Sequence, residues 1–365
     1  MSNLKVLLTG ATGYIGGSIL STLLNSQHPA LKSIRLSALA RGQDKARVLT
    51  ERGLSVELFD DLDQTELLEG IASNYDVVIQ CVIGTHIASA AAFIRGLGQR
   101  LSTTGKQTYY IHLSGASNIS DLPSSGKYRE TRVLSDKEDI YAYEKYRESL
   151  HSYVQRANEM SVVETGLATG VRTTILMPPT IYGMGSGYFN RLSVQIPMVF
   201  QSALKRGQAV RVGDYDAVWN HVHIEDLTNL YEIVLARIAE GNDVPYGEKG
   251  ILFSDGGEFL WSELYEGVAR ALKKRGKLNT EELYTLSLQE AADEFAGGDE
   301  YDVEVGFVSK KNDDDDDTYK NHMCILQYVT LGSAETEAKA CSNRSSSSTG
   351  YCQECVGKLR AVFVK

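Results

Sequence analysis

Thr9-Gly10-Ala11-Thr12-Gly13-Tyr14-Ile15-Gly16 carries a glycine spacing that suits one task, holding a pyrophosphate against backbone. The segment follows a strand-like run at 5–9 and opens a helical pattern. That placement turns a weak glycine match into a specific one. Gly10 permits a tight turn, Gly13 lets the backbone approach the phosphates, and Gly16 lets the helix pack close to a sheet. The phosphates, beside Thr12, Tyr14 and Ile15, would meet a helix N-terminus, where free N–H groups and the dipole favour anions. The chemistry licensed is binding of a nicotinamide dinucleotide. An ordinary glycine-rich turn is the alternative.

The second strand-like run ends Leu39-Ala40-Arg41-Gly42-Gln43-Asp44-Lys45. A site for NAD usually places Asp or Glu there, to bind both ribose hydroxyls. A guanidinium at Arg41, with Lys45 one turn on, suits the 2′-phosphate of NADP. A solvated basic loop is the alternative. Asp60, after the third run, is a candidate neighbour of the adenine, and a plain acidic turn accounts for it equally well.

These residues need elements to position them. Short apolar runs at 5–9, 34–40, 55–59, 76–83, 108–113 and 172–177 alternate with helical patterns. Such alternation predicts right-handed βαβ crossovers and a parallel sheet, an α/β Rossmann doubly wound fold. Helical segments at 193–206, 227–240, 261–274 and 287–295, with short strands at 210–212 and 250–253, predict a smaller, mostly helical C-terminal substrate lobe. The expected domains are 1–182 for the dinucleotide and 183–305 for the substrate lobe, with the chain crossing between lobes. The glycine-rich 183–187 is read as a flexible loop. Residues 306–365, with five consecutive aspartates and four consecutive serines, are read as a low-complexity, disordered or aberrant tail.

Composition narrows the partners. The 365 residues include 42% hydrophobic ones, ample for a buried core. A net charge of −10 argues against nucleic acid and anionic membranes. No apolar run nears the roughly 20 residues of a membrane helix. The start lacks the pattern of a secretory signal. Of five cysteines only Cys81 precedes the tail region, so the body reads as reduced and cytoplasmic. His221 and His223, read as facing apart, make a poor metal pair. The lone Cys352-Gln353-Glu354-Cys355 is a weak one, and no metal is expected.

The chain resembles the extended short-chain dehydrogenase/reductase superfamily, nearer its atypical, NmrA-like and epimerase-like fungal members. Three segments carry the resemblance: the glycine turn, Met177-Pro178-Pro179-Thr180-Ile181-Tyr182-Gly183, and Trp219-Asn220-His221-Val222-His223-Ile224-Glu225-Asp226-Leu227. Met177 stands where the family usually has arginine. The resemblance implies that Pro178 and Pro179 line the nicotinamide and that the last segment starts a helix of the substrate lobe. Asp226 is read as that helix's N-cap.

The resemblance also implies a Tyr-x-x-x-Lys pair on one helix face, with a serine at the end of strand five polarising the substrate carbonyl. Ser114 best matches the serine, Ser117 next. Tyr141 and Lys145 match the pair literally but lie far upstream of Pro178. Tyr153 lies at the expected distance, with Ala157 where lysine should be. Twelve residues apart on a single helix, the two tyrosines would face about 120° apart, so one site cannot use both. Either register, or neither, remains open. The reading is an NADP(H)-dependent oxidoreductase for a small carbonyl, enone or alcohol, with a homodimer allowed for. Its rivals are a non-catalytic NmrA-like dinucleotide sensor and a nucleotide-sugar epimerase or dehydratase.

Overall fold

A computed structural model describes residues 4–122, 124–214 and 216–305, and the tail with its Cys352 and Cys355 lies outside them. The first half alternates strand and helix. It runs β1 (Lys5–Leu8), α1 (Tyr14–Leu24), β2 (Arg35–Arg41), α2 (Gln43–Thr50), β3 (Ser55–Phe59), α3 (Thr65–Ala72), β4 (Val77–Gln80) and α4 (Ile87–Thr104). Then come β5 (Tyr109–Leu113), α5 (Ile140–Leu150), α6 (Val154–Thr169), β6 (Arg172–Met177) and β7 (Thr180–Tyr182). The remainder holds α7 (Gln195–Arg206), β8 (Val210–Val212), β9 (Val218–His223), α8 (Ile224–Ala239), β10 (Ile251–Phe253) and β11 (Gly257–Leu260). It ends with α9 (Trp261–Lys274), β12 (Tyr284–Leu286), α10 (Leu288–Phe295) and α11 (Glu300–Glu304).

Seven strands form one parallel sheet in the order β10-β6-β5-β4-β1-β2-β3. Val6, Leu7 and Leu8 in β1 and Val77, Val78 and Ile79 in β4 are fully buried. Their unbroken apolarity follows from cover on both faces of the sheet. Strand order reverses between β1 and β4, and a crevice for ligand opens beyond the strand ends at such a point.

The chain divides into two compact units. The first takes in the chain up to Ile196, Val212–Trp261 and the described residues from Thr285 onward. The second holds Pro197–Arg211 and Ser262–Tyr284, the greater parts of α7 and α9. The division is thus interleaved, segments of the two units alternating along the chain. Its cause is visible in β10, where Ile251, Leu252 and Phe253 pair with Ile175, Leu176 and Met177 and extend the main sheet.

Three local expectations need correction. Tyr141 and Tyr153 do not share a helix, because α5 ends at Leu150 and Tyr153 is the extended N-cap of α6. The N-cap of α8 is His223, whose ring accepts from Glu225 N–H at 3.3 Å, while Asp226 lies exposed in the first turn. His221 and His223 share a face, since side chains two apart on a strand point the same way. Both rings pack on Tyr182, at 5.3 and 5.0 Å between centroids.

Candidate functional site

The glycine turn joins β1 to α1. Gly10 has φ +70°, and a Cβ there would overlap the Cys81 carbonyl. A Cβ on Gly16 would overlap the Gly10 carbonyl. The protein's own packing therefore demands both glycines. Gly13 differs. Its φ of −84° and ψ of 176° suit any residue, and the nearest atom to a Cβ would be Gly10 O at 3.3 Å. Gly13 caps α1 without a side-chain hydrogen bond, and no acidic residue stands in the first turn. An open glycine at an uncapped helix N-terminus fits a pyrophosphate.

The 183–187 loop is packed onto this turn rather than loose. Tyr14 donates its hydroxyl to Gly183 O at 2.8 Å, and Ser186 N–H donates to Ser18 Oγ at 3.2 Å. A Cβ on Gly187 would sit 2.9 Å from Gly17 Cα, so two glycines set the approach. Thr12 contributes its carbonyl, which accepts from Asn190 N–H at 3.4 Å.

At the end of β2, Arg41 is exposed and followed by Gly42, at φ +86°, the N-cap of α2. Lys45 is exposed one turn along. Among the described residues no hydrogen bond or ion pair engages either side chain. Asp60, just past β3, is exposed, and its N–H donates to Gln64 Oε1 at 2.9 Å.

A cavity of about 210 Å³ gathers Tyr14, Ile15, Ser114, Gln155, Pro178 and Pro179 among its lining residues. Backbone bonds hold its floor: Ser114 N–H donates to Leu176 O at 2.9 Å, and Ala116 N–H to Pro178 O at 3.0 Å. The structure thus brings the glycine turn, the serine after β5 and the proline pair after β6 to one place.

The tyrosines lie elsewhere. Tyr141 is packed into the main core and donates to Glu164 Oε1 at 3.1 Å. The Lys145 ammonium stands 5.3 Å from the Tyr141 ring centroid, with its side chain in solvent. Neither lines the cavity. Tyr153 packs with Leu122 and Val305 and donates to Gln155 Oε1 at 3.3 Å. Burial pushes its phenol above the ordinary range. Tyr141→Phe should therefore leave turnover within about twofold and cost about 0.5–1.5 kcal/mol in a urea melt, the worth of one hydrogen bond. A large loss of turnover at unchanged stability would restore the literal motif.

Facing Ser114 and Ser117, α6 presents Gln155 and Glu159, four residues apart. Gln155 Oε1 accepts from Ser117 at 3.0 Å, and Glu159 accepts from the Ser114 hydroxyl. Asn118 donates to Ser114 Oγ at 3.1 Å and to Glu159 Oε2 at 2.7 Å. Glu144, on α5, is fully buried beside Glu159, and neither of its carboxyl oxygens has a hydrogen-bond partner among the described residues. Burial raises both carboxyls, Glu159 to about 7 even against hydrogen bonds that lower it, and Glu144 well above the carboxylate range. The fully buried Arg156 supplies the nearby positive charge. None of these five residues stood out in the sequence. The available signal was the α6 stripe 155-159-162-163-166, in which Gln and Glu occupy positions that Val162, Val163 and Gly166 continue toward the core.

Among the described residues no helix is long and apolar enough to cross a membrane. Among them, too, no group of three or more His, Cys, Asp or Glu is placed to hold a metal ion. An oxidase, ucsJ, of Acremonium sp is 28% identical over 305 residues, spanning 79% of this chain and 84% of that protein. An isoflavone reductase homolog of Nicotiana glauca is 34% identical over 94 residues, 26% of this chain and 30% of that one. In fold, the chain is similar to dTDP-glucose 4,6-dehydratase of Bacillus anthracis, solved in complex with NAD. The TM-score is 0.52 at 14% identity, over 78% of this chain and 84% of that one. The profile described as the NAD dependent epimerase/dehydratase family matches residues 6–246, a span that holds the glycine turn, Ser114 and the proline pair. The chain belongs to that family.

Proposed function

We propose that this protein is an NADP(H)-dependent oxidoreductase acting on a small carbonyl, enone or alcohol. The observation that carries the reading is the single cavity shared by Tyr14, Ile15, Ser114 and the Pro178–Pro179 pair. The dinucleotide, when bound, would supply or take up hydride. The chain's own residues do the rest. The α1 N-terminus holds phosphate, the prolines shape an apolar floor, and Ser114 presents a hydroxyl where a substrate oxygen would lie.

A second cavity of about 480 Å³ shares Ala116, Pro179 and Trp219 with the first. Asp121, Glu130, Asp216, Asp255 and Glu258 line it, and among the described residues the one cation in the lining is Arg132, which is paired with Glu130. Such a wall repels phosphate, which disfavours a nucleotide sugar and favours a neutral or cationic substrate.

Cofactor choice rests on Arg41 and Lys45. Calorimetric titration should show NADPH binding at least about tenfold more tightly than NADH, about 1.4 kcal/mol. Arg41→Ala should shrink that gap, since a guanidinium–phosphate pair is lost. Equal affinities in the wild type would mean that Arg41 only faces solvent. The sensor reading keeps one observation in its favour, that none of Tyr141, Lys145 and Tyr153 lines the smaller cavity. Tight NADPH binding with no turnover on a broad carbonyl and alcohol panel would decide for it.

A further inference from the structure

We propose that Ser114 and the buried Glu144–Glu159 pair form a proton relay opening on the smaller cavity. Ser114 meets the substrate oxygen, and the two carboxyls store the proton behind it. The proposal rests on the oxidoreductase reading and names the groups that would handle its proton.

The hydrogen-bond inventory of Ser114 carries the argument. A serine hydroxyl has one hydrogen and two lone pairs. The hydrogen goes to Glu159, and one lone pair takes the Asn118 amide. The other lone pair is left to accept from a group in the cavity that Ser114 lines. In the oxidative direction an alcohol O–H donates its proton to Ser114 Oγ while the Ser114 proton passes to Glu159. Hydride leaves the alcohol carbon for the oxidised dinucleotide, and the C–O bond becomes C=O. Reduction of a carbonyl is the reverse, with the proton drawn from Glu159.

The carboxyl pair suits storage. Both carboxyls are fully buried and adjacent, and two like charges cannot both ionise cheaply there. Glu144 therefore keeps its proton, and Glu159 is the member that can release one or take it back. Its charged neighbour on α6 is Arg156, tied through Nε to Glu148 on α5 at 2.9 Å. The turn after β5 contributes only the neutral Ser114 and Asn118. Arg147 of α5 is directed instead to the Ile119 and Ser120 carbonyls, at 3.1 and 2.7 Å. Burial holds Glu159 at about 7, where a proton moves either way near neutral pH.

The experiment uses the full chain saturated with NADPH and labelled with carboxyl-¹³C glutamate, titrated by infrared difference or NMR. One buried carboxyl should titrate near neutrality, vanish in Glu159→Gln, and shift by at least about one pH unit in Glu144→Gln, which replaces the neighbouring carboxyl. Ser114→Ala should shift it too. A purely structural glutamate would not follow Glu144→Gln in this way. On any alcohol or carbonyl that the wild type turns over, Glu159→Gln should lower kcat by about a hundredfold or more, with KM little changed and the neutral inflection of the pH profile gone. If NADPH binds but no carboxyl titrates between about pH 5 and 9, the relay is wrong and the oxidoreductase reading stands. If calorimetry on the same samples shows no NADPH binding, both fall.

Discussion

Gly13→Val should abolish dinucleotide binding, by about a hundredfold or about 2.8 kcal/mol, in a protein that still folds. The backbone at Gly13 already has β-region angles that valine favours, and the closest atom to its Cβ would be 3.3 Å away. The fold loses a cap preference of about 1 kcal/mol, less than the stability of an ordinary domain. The added methyls would instead occupy the space over the first turn of α1, where a pyrophosphate must approach the N–H groups. Gly16→Val is the contrast. Its Cβ would collide with the Gly10 backbone, so the turn itself must break and soluble protein should be lost. Calorimetry with NADPH and thermal melts on both variants separate the two kinds of glycine. Binding by Gly13→Val within about threefold of wild type would remove the turn from the cofactor site.

What the sequence made legible was local. The strands of the main sheet show as apolar runs because both faces are covered, and the glycine turn shows because its spacing is dictated by one tight corner. The placement of β10 does not show, since pairing Ile251 with Ile175 is a tertiary choice that no local pattern encodes. The break between α5 and α6 is a subtler case. No proline or glycine marks 148–154. The break is made by the Glu148 carboxylate, which accepts from Ser152 Oγ at 2.7 Å, from Tyr153 N–H at 3.1 Å and from Arg156 Nε at 2.9 Å. A single glutamate thereby ends one helix and starts the next, and the tyrosine register counted along one helix loses its meaning. The same limit hid the carboxyl pair. Glu144 and Glu159 look like ordinary solvated helix residues until packing puts them face to face. At α8 the local rule that favours aspartate at the N-cap pointed to Asp226, and the chain begins the helix three residues earlier, on His223.

Arg156→Met should cost about 3–5 kcal/mol, a large share of the stability of an ordinary domain. The Arg156 side chain is fully buried, and its guanidinium reaches three ways. It donates to Glu148 at 2.9 Å, to Asn118 O at 2.7 Å and to His151 O at 2.5 Å. Methionine replaces the stem and leaves two carbonyls and a carboxylate without their donor. Arg156→Lys keeps the charge but not the fork, so its loss should be intermediate. The pH dependence tests the link to the carboxyl pair. Glu159 has a folded pKa of about 7 against an ordinary 4.5, so the folded state holds a proton that the unfolded chain has released between those values. Stability from this group is full below about 4.5 and falls as pH rises toward 7. Arg156 lowers that folded value, so removing it raises the value and carries the loss to higher pH. The deficit of Arg156→Met in urea melts should therefore widen from pH 7 to 9 and narrow toward pH 5. A deficit of the same size at every pH would mean that Arg156 only ties α5 to α6 and does not serve the buried acids.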